Sequence, residues 1–310
     1  MNMNPVPDRL ASNIIDLFGK SGAKWLAQLP SIVALCEQRW ALTTQAPLQS
    51  ASYNYLVPAV RADGTPVMLK IGFPDPEIYS EIDALQEYGG RGAVQLLDVD
   101  RQNAALLLEA LCPGLPLSNV PDDSAATRIA ASVMRRLWHA VGRDHAFRSV
   151  ADWARGLERL RRHFGGQVGP LPERLVEKAE GLFAELLHSS GEQVLLHGDL
   201  HHGNIVSAER EPWLSIDPKG IVGEPAYDAA TLLRSCTPTL LAHRSPSLLL
   251  SERSAILSAE LGFDRTRLLS WGLAQAVLSG WWSIEDHGAG WQSAIRVAEW
   301  IDEAMGRGSP

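Results

Sequence analysis

Apolar positions in the first part of the chain change from a helical period to short strand-like runs. Over residues 22–40, apolar side chains recur every three or four positions, which predicts an amphipathic helix interrupted at Pro30. Residues 52–60 and 66–73 then have the pattern of strands, and the Asp63-Gly64 pair between them is typical of a hairpin turn. This region is therefore predicted to be a helix followed by a two-stranded hairpin.

A second helix and a second pair of strands follow the hairpin. Asp75-Pro76 has the form of a helix start, because a capping side chain is followed by proline in the first turn. The helix is expected to end near Tyr88, before Gly89-Gly90. Residues 93–98 and 104–111 are predicted to be strands joined by a polar turn. Together these elements indicate a small sheet crossed by one helix.

Helical periodicity dominates the rest of the chain. Strands are predicted only over residues 193–196 and 213–216. A β-rich amino-terminal lobe over residues 1–111, followed by a mostly helical lobe over residues 112–310, is an α+β arrangement. The amphipathic helices predicted in the second lobe cover residues 124–141, 151–164, 172–187, 246–261 and 265–282.

Charge and hydropathy narrow the class of function. The net charge of -8 argues against a general nucleic-acid binder, because such proteins need clustered Lys and Arg to release counterions. The same charge suits a cationic small molecule. No apolar run reaches the roughly 18 to 20 residues of a membrane helix, and the first ten residues lack the basic start and apolar centre of a secretory signal. A soluble cytoplasmic protein that binds no membrane is expected.

One segment of the second lobe carries residue types suited to phosphoryl transfer. His197-x-Asp199 is followed by Asn204, and a short apolar strand then ends at Asp217. Phosphoryl transfer needs one carboxylate at the acceptor hydroxyl, and an amide oxygen and a second carboxylate that hold magnesium against the nucleotide. We therefore predict that Asp199 is the base and that Asn204 and Asp217 bind Mg²⁺ beside ATP. His197 is expected to support the loop backbone.

A lysine upstream completes the set that a kinase requires. The apolar run Val67-Met68-Leu69 ends in Lys70, where kinases place the lysine that contacts the nucleotide phosphates. A glutamate from the next helix normally holds this lysine. Glu77 and Glu81 are four residues apart and share a helix face, and Glu81 is favoured because it lies beside the apolar stripe.

Two departures point away from protein kinases and toward kinases of small molecules. No G-x-G-x-x-G precedes Lys70, and residues 49–54 contain Ser and Asn instead. Backbone N–H groups of such a loop can still contact phosphate, and Ser52 is predicted to lie there. In addition, Asp217-Pro218-Lys219 replaces D-F-G, and no A-P-E follows.

With these motifs the chain resembles the aminoglycoside phosphotransferase superfamily, and in particular its subgroup of streptomycin 6-kinases and hydroxyurea phosphotransferases. The resemblance implies a bilobal protein-kinase-like fold, ATP bound under the amino-terminal lobe, and a backbone hinge near Glu109 and Leu111. It also implies that Asp228 supports the catalytic segment, although an ordinary helix cap is an equally open role for Asp228. The similarity covers most of the chain, including residues 24–40, 62–70, 91–97, 106–109, 197–204, 216–228 and 263–269.

The subgroup implies that streptomycin is phosphorylated at its 6-hydroxyl, which confers antibiotic resistance. Streptomycin carries two guanidinium groups, and guanidinium pairs with carboxylate in bidentate geometry. Glu224, Glu285 and Asp286 are the predicted carboxylates, and Trp281 and Trp282 could add cation–π contacts. The alternative is that Glu285 and Asp286 lie on a solvated helix end.

Three other functions stay open. The first is the same chemistry on a sugar, an amino alcohol or a hydroxyurea-like compound. The second is a nucleotide-binding member of the family without catalysis. The third is a metallohydrolase built on His197, Asp199, His201 and His202, which would leave Lys70 without a role.

Overall fold

The computed structural model describes residues 6–142, 144–235 and 238–306. The chain divides into two compact units, the first ending at Gly114 and the second beginning at Leu115. Among the described residues, no helix is both long enough and apolar enough to cross a membrane.

The first unit is built on a five-stranded antiparallel sheet with the strand order β1-β2-β3-β5-β4. Its elements, in chain order, are α1 (Asp8–Trp40), β1 (Leu42–Thr44), β2 (Tyr55–Arg61), β3 (Pro66–Ile71), α2 (Pro76–Tyr88), β4 (Leu96–Asp100) and β5 (Ala105–Glu109).

Local sequence signals set the turn and the helix that flank β3. Asp63 accepts a hydrogen bond from the Thr65 N–H at 2.9 Å, and Gly64 takes the positive φ that the hairpin turn needs. Asp75 caps α2 through hydrogen bonds from two backbone N–H groups, each at 3.0 Å. Gly89 ends this helix in the left-handed conformation. The predictions for the hairpin and for α2 are confirmed.

Helix α1 differs from its prediction. It begins at Asp8 rather than near residue 22, and its interruption lies at Gly19, which has non-helical torsion angles. The helix continues through Pro30, whose ring is on the exposed side, so the predicted break at Pro30 is wrong. The buried face of α1 packs in one cluster with Leu69 and Ile71 of β3. Because side chains alternate along a strand, Lys70 between them points to the other face of the sheet.

The second unit is mainly helical and contains two small sheets. β10 lies between β6 and β7 in one sheet, and β8 pairs with β9 in the other. Its helices are α3 (Asp123–Leu137), α4 (Val150–Ala154), α5 (Gly156–His163), α6 (Glu173–His188), α7 (Pro225–Arg234), α8 (Pro238–Ala242), α9 (Pro246–Leu261), α10 (Arg265–His287) and α11 (Gln292–Gly306), and its strands are β6 (Arg148–Ser149), β7 (Val194–Leu196), β8 (Ile205–Ser207), β9 (Trp213–Ser215) and β10 (Ile221–Gly223).

Several elements of this unit were not predicted. The helix expected over residues 151–164 is two helices, α4 and α5, and α8 and α11 lie where no helix was expected. Helix α7 begins at Pro225, before Asp228, which was weighed as a helix cap. The strands β6, β8 and β10 are also additional, and each has only two or three residues. By contrast, α9 has the predicted bounds. Helix α10 is the centre of the unit, because it packs against α6, α7, α9 and α11.

Candidate active site

A buried carboxylate fixes the loop that joins β7 to β8. Asp228 is fully buried in the first turn of α7, and its two oxygens accept hydrogen bonds from the backbone N–H groups of His197 and Gly198, both at 2.8 Å. A third bond comes from Trp138 Nε1 at 3.2 Å. Burial raises the pKa of Asp228 to about 6, although these three bonds act in the opposite direction. Glu224 occupies the cap position of α7, so the alternative role of Asp228 as a helix cap is wrong.

His197 connects this loop to the segment that carries Asp217. Its Nδ1 accepts a hydrogen bond from the Asp199 N–H at 3.2 Å, and its Nε2 lies 2.8 Å from the carbonyl oxygen of Ile216. An acceptor at Nδ1 places the proton on Nε2, which makes the ring neutral. Burial lowers the pKa of His197 to about 4, which agrees with a neutral ring. These contacts are those of a residue that supports the loop backbone.

Asp199, the predicted base, is held by positive side chains. Its Oδ1 accepts a hydrogen bond from Arg234 Nη2, and its Oδ2 lies 3.7 Å from His201 Nε2. Burial acts to raise the pKa of Asp199, but the charges of Arg234, His201 and Lys219 outweigh it and bring the value to about 2. The carboxylate is therefore ionised at neutral pH, as a group that takes up a proton must be. Arg234 was not predicted, because it lies 35 residues away in sequence and no local pattern marks it.

Asn204 and Asp217 lie at the same end of the β8–β9 hairpin. The Ile216 N–H donates to the Asn204 carbonyl at 2.9 Å, and Asp217 is the next residue. Asn204 Nδ2 donates to the carbonyl oxygen of Asp199 at 2.9 Å, so the amide oxygen of Asn204 is left for a metal. Asp217 has a φ of 59°, a left-handed backbone that is strained for a residue other than glycine and recurs at functional sites. One amide oxygen and one carboxylate suit Mg²⁺, which keeps several waters in its coordination shell.

The side chains proposed for a metallohydrolase do not form a zinc site. Both ring nitrogens of His197 are engaged by the backbone, and His202 Nδ1 lies 2.9 Å from Ser235 Oγ. Within residues 6–142, 144–235 and 238–306, no group of three or more His, Cys, Asp and Glu side chains could hold a metal ion. The metallohydrolase alternative therefore lacks a ligand set in the described part of the chain.

The first unit holds the predicted lysine–glutamate pair. Lys70 Nζ lies 2.5 Å from Glu81 Oε1, and both side chains are almost fully buried. The predicted choice of Glu81 as the partner is confirmed, whereas Glu77 is exposed one turn earlier on α2. A buried ammonium needs such a partner, because desolvation of an unpaired charge is costly.

The loop proposed for phosphate binding is attached to α1. The Ser52 carbonyl accepts a hydrogen bond from Asn13 Nδ2 at 2.9 Å, a contact that the sequence pattern did not suggest. Glu109 is the last residue of β5, and its backbone N–H and carboxylate are both bound to the backbone of Gln95. Leu111, two residues further on, is half-buried. The nucleotide contacts expected from Ser52, Glu109 and Leu111 remain predictions.

Glu224 and Glu285, which were predicted to bind the substrate, form ion pairs with arginines of the protein. Glu224 is buried, and both its oxygens accept hydrogen bonds from Arg267, at 2.8 and 2.6 Å, while Trp271 Nε1 donates to one of them. Glu285 forms a bidentate pair with Arg159 at 2.7 and 2.9 Å. These internal pairs argue against the predicted roles of Glu224 and Glu285, because a substrate guanidinium would have to displace an arginine.

The remaining predicted substrate contacts divide between the surface and the core. Asp286 is exposed near the end of α10, as the solvated-helix alternative expected. Trp281 is only 2% exposed and packs against Phe164 and His163, so a cation–π contact between Trp281 and a substrate is excluded by burial. Trp282 is half-buried and remains accessible to a ligand.

Comparison with known proteins matches the chain to kinases. The family described as aminoglycoside/hydroxyurea antibiotic resistance kinase matches residues 39–287. Streptomycin 6-kinase from Streptomyces glaucescens is 34% identical over 285 residues, which cover 92% of each chain. Hydroxyurea phosphotransferase from Kitasatospora aureofaciens is also 34% identical, over 91% of this chain and 81% of that protein.

The fold has a close counterpart among solved structures. An aminoglycoside phosphotransferase in ternary complex with ADP and hygromycin B aligns with a TM-score of 0.65 and 12% identity, over 90% of this chain and 99% of that one. The predicted α+β, protein-kinase-like fold, with a β-rich amino-terminal part and a helical carboxy-terminal part, is confirmed.

Proposed function

The chain belongs to the aminoglycoside/hydroxyurea antibiotic resistance kinase family, and we propose that it transfers a phosphoryl group from ATP to the 6-hydroxyl of streptomycin in a magnesium-dependent reaction. Membership makes it a phosphotransferase with an alcohol group as acceptor. The observation that best supports the proposal is the loop around Asp199, where one ionised carboxylate is fixed between Arg234 and a backbone that Asp228 holds.

Each proposed role follows from what a residue contacts. Asp199 accepts the hydrogen bond of the acceptor hydroxyl and receives its proton as the hydroxyl oxygen bonds to the γ-phosphorus, whose bond to the bridging oxygen breaks and releases ADP. Arg234 holds that carboxylate in place and keeps it ionised. Asn204 and Asp217 would hold the magnesium ion, which would neutralise charge on the phosphates when bound. Lys70, positioned by Glu81, contacts the phosphates of the nucleotide.

Streptomycin is proposed on the strength of relatives that are 34% identical over most of the chain. A hydroxyurea-like compound is the second candidate, because a hydroxyurea phosphotransferase has the same identity to this chain. The net charge of -8 favours the cationic drug over the neutral one, since an acidic protein attracts a cation at long range.

The test is a purified-enzyme assay for ADP release with ATP, MgCl₂ and one acceptor at a time: streptomycin, kanamycin, hydroxyurea or an uncharged alcohol. Streptomycin should support turnover, and mass spectrometry should find one added phosphoryl group, which phosphorus NMR can assign to a hydroxyl. Chelation of magnesium should stop the reaction. Kanamycin, which lacks the guanidinium pair, should be a poor acceptor. If hydroxyurea or an uncharged alcohol supports turnover while streptomycin does not, the kinase chemistry stands and the streptomycin proposal fails.

A further inference from the structure

We propose that Trp153 and Trp282 form an aromatic corner beside the catalytic loop, and that this corner binds a planar cationic group of the acceptor, a guanidinium in particular. The inference rests on the proposed function, because it concerns the acceptor side of the same reaction. It assigns a contact to Trp153, a residue that no sequence motif singles out.

The position of Trp153 relative to the catalytic loop is the first observation. Trp153 lies on α4, and a Cβ atom placed on Gly198 would be 3.1 Å from Trp153 Cη2. The outer edge of the indole therefore touches the backbone of the residue that directly precedes Asp199. The aliphatic part of Lys219 and the side chain of Ile221 enclose the same glycine. A group bound on Trp153 would thus lie beside the backbone that leads directly into Asp199.

The second observation is that the two rings stand at a right angle and are incompletely buried. The centroids of Trp153 and Trp282 are 5.2 Å apart, and their planes are inclined by 85°. Both side chains are half-buried, whereas Trp271 and Trp281 on the same helix as Trp282 are 1% and 2% exposed. Trp153 also packs edge-on against the buried Tyr227, with ring centroids 6.3 Å apart, so its position is fixed by the core while part of its surface stays accessible.

The charges near the corner are the third observation. Arg155 pairs with Asp152 at 3.2 Å, and Arg159 pairs with Glu285. The cation–π contacts within the described part of the chain lie elsewhere, with Arg39 on Trp40 and Arg101 on Tyr79. Neither ring of the corner is therefore covered by a described arginine or lysine.

An aromatic face without a protein cation is suited to a cation from outside. The negative face of an indole attracts guanidinium, which also stacks on it because both groups are flat. Because the edge of one indole packs on a face of the other, the cation would stack on an outward-facing indole face of the pair. The corner thus offers streptomycin a guanidinium site without the carboxylates of Glu224 and Glu285, which arginines already occupy.

The test measures KM for streptomycin and KM for ATP separately in Trp153→Leu and Trp282→Leu. Loss of either ring should raise KM for streptomycin about tenfold, the effect expected for a partly desolvated cation–π contact, and should leave KM for ATP unchanged. Trp153→Phe should recover most of the affinity, because it keeps a smaller aromatic face. Trp291→Leu is the matched control, since Trp291 is also half-buried but lies in the turn before α11. Calorimetric titration of streptomycin without nucleotide provides a binding readout that is independent of turnover.

The possible outcomes distinguish failure of the aromatic-corner proposal from failure of the proposal that streptomycin is the substrate. If the wild-type enzyme phosphorylates streptomycin, and KM for streptomycin is unchanged in Trp153→Leu and Trp282→Leu, the rings do not bind the acceptor. The proposed function then stands without the aromatic corner. If KM for ATP rises together with KM for streptomycin, the rings only support the loop, and the proposed binding of the acceptor by the corner is refuted. If the wild-type enzyme accepts only uncharged alcohols, the streptomycin proposal fails, and the cationic ligand of the corner fails with it.

Discussion

The Lys70–Glu81 pair allows its contribution to stability to be separated from its proposed contact with nucleotide. The change is Lys70→Met, which keeps a straight side chain of similar length and removes the ammonium. Glu81 is then left as a carboxylate whose side chain is only 8% exposed. Removal of one partner of a buried pair typically costs about 3–5 kcal/mol, because the remaining charge loses its opposite charge while it stays desolvated. We expect the free energy of unfolding of this unit to fall by about that amount.

A surface pair in the same unit provides a matched control. Arg101 lies 2.6 Å from Asp83, which is also on α2, but these side chains are 47% and 37% exposed. The two pairs therefore differ mainly in burial rather than in distance. Arg101→Met also removes the cation–π contact with Tyr79, but it should still cost only about 1 kcal/mol, since water and salt screen interactions of an exposed side chain. The double variant Lys70→Met/Glu81→Met should regain most of the stability, because two apolar side chains of similar volume can replace a buried ion pair.

Urea unfolding followed by circular dichroism measures these differences, and hydrogen exchange of the β3 and α2 amides assigns them to the first unit. The double-mutant cycle of Lys70→Met, Glu81→Met and the double variant should give a coupling free energy of at least about 2 kcal/mol between the two side chains. Turnover should stay low in the single and the double variant alike, because neither has the ammonium for the phosphates. The argument from burial would be refuted if the stability losses of the Lys70 and Glu81 variants were additive. It would also be refuted if Lys70→Met and Arg101→Met lowered the free energy of unfolding equally. Recovery of turnover in the double variant would remove Lys70 from the nucleotide site.

Three further predictions concern the remaining parts of the site. Asp199→Asn keeps the side-chain shape but loses the charged acceptor, so turnover should fall about 10²–10⁴-fold while calorimetry finds nearly unchanged ATP binding; wild-type turnover would contradict its role. Asp217→Ala should abolish magnesium-dependent ATP binding, and Asn204→Ala should weaken it less because a neutral ligand is lost; an unchanged magnesium titration in Asp217→Ala would overturn the assignment. Asn13→Ala removes the hydrogen bond to Ser52 and should raise KM for ATP but not for streptomycin; a selective rise in KM for streptomycin would show that this loop does not serve the nucleotide.

The parts of the protein that were predicted correctly depend on interactions between near neighbours in sequence. Helix α2 has its cap at Asp75 and its left-handed end at Gly89, and both signals act within one turn of the helix. The spacing of Glu77 and Glu81 on that helix narrowed the partner of Lys70 to two residues. Among the strands of two or three residues in the second unit, β7 and β9 were predicted, whereas β6, β8 and β10 were missed. A strand of two or three residues has no period of its own and exists because another part of the chain pairs with it.

The sequence alone determined which residue types are available for phosphoryl transfer, because the spacing of Asp199, Asn204 and Asp217 is a local property of the chain. Only the tertiary structure decided which side chains remain available to a substrate. Glu224 is bound by Arg267 from 43 residues away, and burial distinguishes Trp281 from its neighbour Trp282. The physical reason is that a buried charge must be neutralised and a large ring prefers to be covered. The partners that satisfy these needs are brought together only by the packing of distant helices.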